Sequence, residues 1–235
     1  MSDLKVLHRT GACALAVVIL SWAQFPLWMV GNAPSSWYDG AAWGHYLFTI
    51  HNVALTRILM DLGIYVAIMV FAAGFSQLIR QARAECEWAG TLVFGSAAVW
   101  LGVTLVADGL EGGAVLDTLS GHADPSVVRG LTDGTLLIYN GSICFAITGL
   151  FLWAAGYSTL ATSVLPHWTG WLAYIGAALC AVCVPAMYGG PANFSGFYNP
   201  AGWGPIVIAN FPPLIWFLVV GVWMIRRREA TAPGR

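Results

Sequence analysis

The sequence predicts an all-α fold, a polytopic membrane bundle of six transmembrane helices with both termini cytoplasmic. Composition is the first ground. Of 235 residues, 58% are hydrophobic and 9% charged, whereas soluble domains carry about 25% charged residues. Mean hydropathy is +0.72. The second ground is a set of apolar segments at roughly residues 11–30, 58–79, 88–107, 136–159, 168–187 and 205–225. Each is near the ~20 residues that cross a hydrocarbon core. The third is charge sorting. Lys5, Arg9, Arg80, Arg83, Arg226, Arg227 and Arg228 fall on one side of a six-span arrangement, and only Arg57 and Arg129 on the other. Positively charged loops stay cytoplasmic, and an even number of spans returns both ends to that side.

The segments are helices because lipid offers the backbone no hydrogen bonds; short alternating strands of a barrel do not occur in the sequence. Segment one follows Lys5 and Arg9 and so resembles a signal peptide. It is too long, however, and Gln24-Phe25-Pro26-Leu27-Trp28 follows it in place of a small-residue cleavage site, so an uncleaved first helix is expected. The connection 31–57 holds Trp37, Tyr38, Trp43 and Tyr46, suited to an aromatic belt, with residues 41–55 expected as a helix lying in the interface. Segments two and three join through a short cytoplasmic loop, 81–87. The stretch 109–132 is rich in Gly and Asp and reads as an outer loop. Segments four and five join through the short loop 160–167. Residues 189–204, GGPANFSGFYNPAGWG, read as an ordered, non-helical cap. Pro212-Pro213 should kink the last span and open space beneath Asn210. Residues 1–235 form a single transmembrane domain with no internal repeat. Long outer connections above short inner ones place the working face outside.

Ionisable groups at membrane depth are expensive and mark functional sites. Asp61 opens one span, Asp108 and Glu111 close the next, and Asp133 opens the one after. All lie at the same leaflet. Helical spacing puts Arg57, Asp61 and Tyr65 on one stripe; Trp100, Thr104, Asp108 and Glu111 on another; Asp133, Asn140 and Cys144 on a third. Tyr188 and Asn210 can complete a ring. The expected object is an outward-open crevice with catalytic candidates Asp61, Asp108, Glu111 and Asp133, bordered by substrate-binding candidates Arg57, Tyr65, Trp100, Asn140, Tyr188 and Asn210. Crowded carboxylates in low dielectric repel, so one of them should keep a proton, as a general acid must. The plainer alternative stays open: Asp61 pairs with Arg57 and Asp133 with Arg129 as structural ion pairs at helix N-termini.

Other motifs carry less. Four of the five cysteines lie inside apolar segments. Cys180-x-x-Cys183 therefore reads as two small buried thiols, since a redox or metal pair needs an exposed turn or further ligands. His45, His51, His122, His8 and His167 offer no facing pair for haem, and neither metal nor cofactor is expected. Trp28, Trp88, Trp168, Trp171, Trp203 and Trp223 suit belt anchors. The net charge of −1 argues against nucleic acid as a partner.

Several stretches resemble a known family. TRILMDLGIYVAIMVFAAGFSQLIR, LPHWTGWLAYIGA and PPLIWFLVVGVWMIRR, with Arg57, Asp61, Leu165-Pro166, Trp168 and Trp216 at the matching positions, resemble the DUF4386-like integral membrane proteins of bacteria. That resemblance implies a bundle of six to seven helices and no established activity; the long aromatic outer connections are not part of the family pattern.

Two functions follow as expectations. One is a membrane-embedded enzyme in the bacterial cell (plasma) membrane, using Asp61 and Asp108 as acid and base, with Glu111 and Asp133 in support, on a lipophilic, isoprenoid- or lipid-like substrate by cyclisation or isomerisation. The other is a non-catalytic carrier, receptor or accessory subunit that binds a cation or small ligand. Membrane lipids are the expected surroundings in both, and the sequence leaves the oligomeric state open.

Overall fold

The computed structural model describes residues 3–227 except 35, 37, 140, 191, 192 and 194. Trp37, Asn140 and Arg228, singled out above, lie outside the described residues. Among those described there are helices and turns and no strand. The helices are α1 (Asp3–Gln24), α2 (Gly40–Ala82), α3 (Glu87–Leu119), α4 (Pro125–Tyr139), α5 (Ser142–Thr162), α6 (His167–Cys183) and α7 (Trp203–Arg226). Short 3-10 turns follow α1 at Phe25–Met29 and α6 at Val184–Tyr188. Six stretches are long and apolar enough to cross a membrane, α4 and α5 counting together as one.

The spanning helices close into a ring. α1 packs on α2, α2 on α3, α3 on α5, α5 on α6, α6 on α7, and α7 returns to α1. Small residues allow the closure. A Cβ on Gly11 would stand 2.6 Å from the Met224 Cβ, and one on Gly221 would stand 3.0 Å from the Gly11 carbonyl oxygen, so α1 and α7 meet backbone to backbone. The middle is filled with rings. Phe71 stands 5.0 Å from Phe217 and 5.7 Å from Trp216, and Phe151 lies 5.9 Å from Trp216. The buried Trp216 indole donates to the Thr169 carbonyl at 3.1 Å. The ring thus encloses an aromatic plug at this level. Its outer surface carries large apolar side chains such as Ile19, Val66, Val99, Trp153, Ile175 and Ile215, the exposure expected against lipid and not against water.

Both described ends lie together: the His8 ring meets the Arg227 carbonyl at 2.9 Å. The Arg83 guanidinium, at the turn after α2, donates to the Ala161 carbonyl at the end of α5. Lys5, Arg9, Arg80, Arg83, Arg226 and Arg227 therefore gather at one end of the bundle, as the charge pattern requires.

The outer half departs from expectation. No interfacial helix separates from span two. α2 runs unbroken for 43 residues, about 65 Å at 1.5 Å per residue, against a hydrocarbon core of about 30 Å. Nor is 109–132 a loop, since α3 continues to Leu119 and α4 follows. The physical reason is that no proline occurs between Pro34 and Pro125, and the extensions bury a second core. Trp43, Leu47, Ile50 and Ala54 of α2 pack with Ala114 and Val115 of α3 and Val128 of α4. Gly112 and Gly113 stay helical there, facing Ile58 of α2 and Leu131 of α4. The carboxylates lie where this outer extension meets the spanning ring.

Among the described residues the cap is non-helical from 189 to 202, with Trp203 and Gly204 already in α7, and Asn199 organises it. Its buried carboxamide oxygen accepts from the Asn193 and Ala201 amides, and its amide donates to the Asn193 carbonyl. Pro212 and Pro213 lie inside a helix that remains continuous. Pro213 cannot donate to the Ala209 carbonyl; the Cys180 thiol, 3.6 Å away, does so instead. The C-x-x-C cysteines are buried free thiols.

Candidate functional site

Arg57 sits in the middle of α2 and is buried. Its guanidinium donates to Glu111 of α3, with side-chain exposures of 5% and 12%. The expected partner, Asp61 one turn along the same helix, is not the one taken. α2 and α3 pack along most of their length, so Glu111 approaches Arg57 directly, whereas an i, i+4 pair must curl along its own helix surface. The Arg57 guanidinium lies 3.8 Å from the ring centre of Trp28, in the 3-10 turn after α1, a cation–π contact that shields it from solvent. Gln24, the last residue of α1, donates to the Arg57 carbonyl at 3.0 Å, and its side chain also reaches the Asp61 carboxyl.

One turn inward the carboxyls meet tyrosines. The Tyr139 hydroxyl, at the end of α4, donates to one oxygen of Asp108. The Tyr65 hydroxyl is 2.5 Å from that of Tyr139 and also faces Asp108. Asp108 is 4% exposed, and its second oxygen has no hydrogen-bond partner among the described residues. An unmet buried acceptor is costly, so this oxygen is the chemically available point of the cluster. Three carboxyls, Asp61, Asp108 and Glu111, thus share one junction with one guanidinium and two phenols.

The structure brings together Arg57, Asp61, Tyr65, Asp108 and Glu111 from the residues singled out in the sequence. The arrangement is closed, with Arg57 and Asp108 buried, and not an open crevice. Asp133 is elsewhere on α4: it stands 3.9 Å from Arg129, and both side chains are nearly half exposed. α4 turns this face outward because its buried positions are Val128 and Thr135. Trp100 lies deeper, donating to the Cys144 sulfur at 3.1 Å with its ring against Phe151. Tyr188 is 87% exposed at the end of the turn after α6. Asn210 stands on α7, which packs on α1 and α6. Sequence reasoning missed Gln24, Trp28 and Tyr139. Each stands at a helix end, where the chain's next direction decides what the side chain meets. The only signals were a polar residue closing an apolar run and a tyrosine two residues before Gly141.

Among the described residues no group of His, Cys, Asp and Glu is arranged to hold a metal ion. A separate groove of ≈ 300 Å³ lies at the far tip of the extension, lined by Gly40, Gly44, His45, Phe48, Thr118 and Pro125 among others. Fold and site define the class: an all-α multi-pass membrane protein with a buried carboxylate–tyrosine cluster. No family model matches the chain, and neither curated proteins nor solved structures return a match.

Proposed function

We propose that the chain is a membrane-embedded enzyme that uses this cluster for acid–base chemistry on a lipophilic, isoprenoid- or lipid-like substrate, isomerising or cyclising it. The observation that carries this reading is the buried, unpartnered oxygen of Asp108, supported on the other side by Tyr139 and Tyr65. Glu111 is neutralised by Arg57 and so positions the cluster. That leaves Asp108 as acid and Asp61 as base. The Asp108 carboxyl gives its proton to one alkene carbon, leaving a cation on the other. Asp61 removes a proton from a neighbouring carbon, forming the new double bond. The Tyr65–Tyr139 pair returns the proton to Asp108. The excess of carboxyls over guanidinium favours the cationic intermediate. The setting is the cell membrane of a bacterium, with both termini cytoplasmic by the positive-inside rule. Membership of the DUF4386-like proteins belongs to the same proposal.

The test needs no prior substrate. Membranes enriched in the protein, incubated with lipid extract in D₂O, should place one solvent deuterium per turnover in a specific lipid, read by mass spectrometry. Asp108→Asn should lower that incorporation by roughly 10²–10⁴-fold. Incorporation independent of Asp108 would reject the enzyme. A second reading is favoured by the same surplus of carboxyls: a carrier, receptor or accessory subunit binding a cation or small ligand. It predicts no incorporation and loss of affinity on the same substitution. The aromatic plug speaks against passage through the ring.

A further inference from the structure

The end of α4 reaches the cluster through Tyr139, and α4 buries few of its own side chains. Of its 15 residues, Val128 and Thr135 are the buried ones. It carries an interior glycine, Gly130, that faces open space and is costly in a helix, whereas Gly134 lets α4 approach Leu110 of α3, where a Cβ would fall 2.9 Å from the Leu110 Cδ1. It packs on α3 and α2 and barely on α5, although α5 follows it in the chain. The helix stops at Tyr139, and the next starts at Ser142 after Gly141, whose backbone is extended at φ −113°, ψ −179°. Only glycine fits there, because a Cβ would fall 2.0 Å from the Leu137 carbonyl oxygen. Three polar ties join α4 to the body at this junction: Tyr139 to Asp108, Tyr139 to Tyr65, and Thr135 to the Ala107 carbonyl at 3.2 Å. Counting about 20 residues outward from Trp88 along α3 reaches Asp108, the depth at which hydrocarbon gives way to headgroups.

We propose that α4 is a hinged cover, pivoting at Gly141 and latched by the Tyr139 hydroxyl on Asp108, whose lifting opens the carboxylate cluster sideways to the bilayer. The proposal rests on the cluster being the working site, but its test reads opening and not turnover. A ligand reaching Asp108 this way lies with its apolar body among the lipid tails and meets the unpartnered oxygen, and reclosing of α4 returns Tyr139 to the other oxygen. The latch and the chemistry then share one carboxyl: the cover cannot open without freeing Asp108.

Ala107 is fully buried beneath α4, and Cys180 is fully buried in the ring. Ala107→Cys, reconstituted in lipid nanodiscs, is reacted with a lipophilic maleimide and with a charged one, and the modified peptides are quantified by mass spectrometry. Cys180 reports general loosening. Adding Tyr139→Phe should speed Cys labelling at position 107 roughly tenfold with the lipophilic reagent, less with the charged one, and leave Cys180 unchanged. Hydrogen exchange on Tyr139→Phe alone should show α4 amides exchanging faster while α3 amides facing them hold; this measurement decides if the Ala107→Cys protein does not fold. Unchanged labelling and exchange would overturn the latch. Labelling at both sites in step would show global loosening and overturn the hinge. Equal reaction with the charged reagent would overturn the opening toward lipid.

Discussion

Arg57 of α2 is bound to Glu111 of α3, not to Asp61 one turn along its own helix. The ion pair therefore fastens two helices where the outer extension meets the membrane-spanning ring. Glu111→Gln leaves a guanidinium buried without its counter-charge and should cost about 3 kcal/mol. Asp61→Asn, which leaves the Arg57–Glu111 pair in place, should cost much less. Thermal unfolding in detergent checks the order; equal melting of the two variants would remove Arg57–Glu111 from its structural role. Replacing both partners by apolar residues should recover much of the loss.

Asp133 supplies the contrast. It and Arg129 are nearly half exposed and 3.9 Å apart, and exposed pairs contribute about 0–1 kcal/mol. Asp133→Asn should melt close to the parent and leave deuterium incorporation intact. A large loss of incorporation would bring α4's outer face back into the site.

Cys180 satisfies the Ala209 carbonyl that Pro213 leaves unpaired. Cys180→Val should destabilise by about 1 kcal/mol, Cys180→Ser should retain most of the stability, and reductant should change neither. A redox role for the C-x-x-C pair would instead make stability or activity depend on reductant.

Asp124 caps α4: its carboxylate accepts from the Ser126 amide at 2.8 Å and from the Ser126 hydroxyl. The Ser126 hydroxyl beside it is the main cause that holds this carboxyl below the usual range. A carboxyl depressed on folding stabilises fully above its unfolded pKa, and that stabilisation fades as pH falls through the lower folded value. Amide exchange in the first turn of α4 should therefore quicken on acidification below the ordinary carboxylate range, and Asp124→Ala should remove that dependence.

Topology is tested with single cysteines, because Cys86, Cys144, Cys180 and Cys183 are buried and only Cys13 is partly open. Gly121→Cys and Ser195→Cys should react with an impermeant maleimide in intact cells, and Arg83→Cys only after permeabilisation. The reverse pattern would invert the bundle.

The sequence by itself determined the class of fold, the number of span-length apolar stretches and the gathering of basic residues at one end. It did not determine the span bounds: the expected fourth span, 136–159, is divided between α4, which ends at Tyr139, and α5, which starts at Ser142. What the sequence determined depends on composition along single segments: about 20 apolar residues can only be a helix in lipid, and charges sort by side. It also placed Asp61, Asp108 and Glu111 at one depth, since depth follows from position along a helix. Only the tertiary structure decided partners. Glu111 takes Arg57 because α2 and α3 pack side by side, and Asp133 turns outward because Val128 and Thr135 turn α4 the other way. Tyr139 reaches Asp108 because the chain folds back after α3, and the polar outer half of α2 stays helical because Ala114, Val115 and Val128 bury its apolar stripe. Contacts between segments far apart in the chain leave no mark on local pattern, so helix ends such as Gln24 and Tyr139 are assigned their roles only once the neighbours are in place.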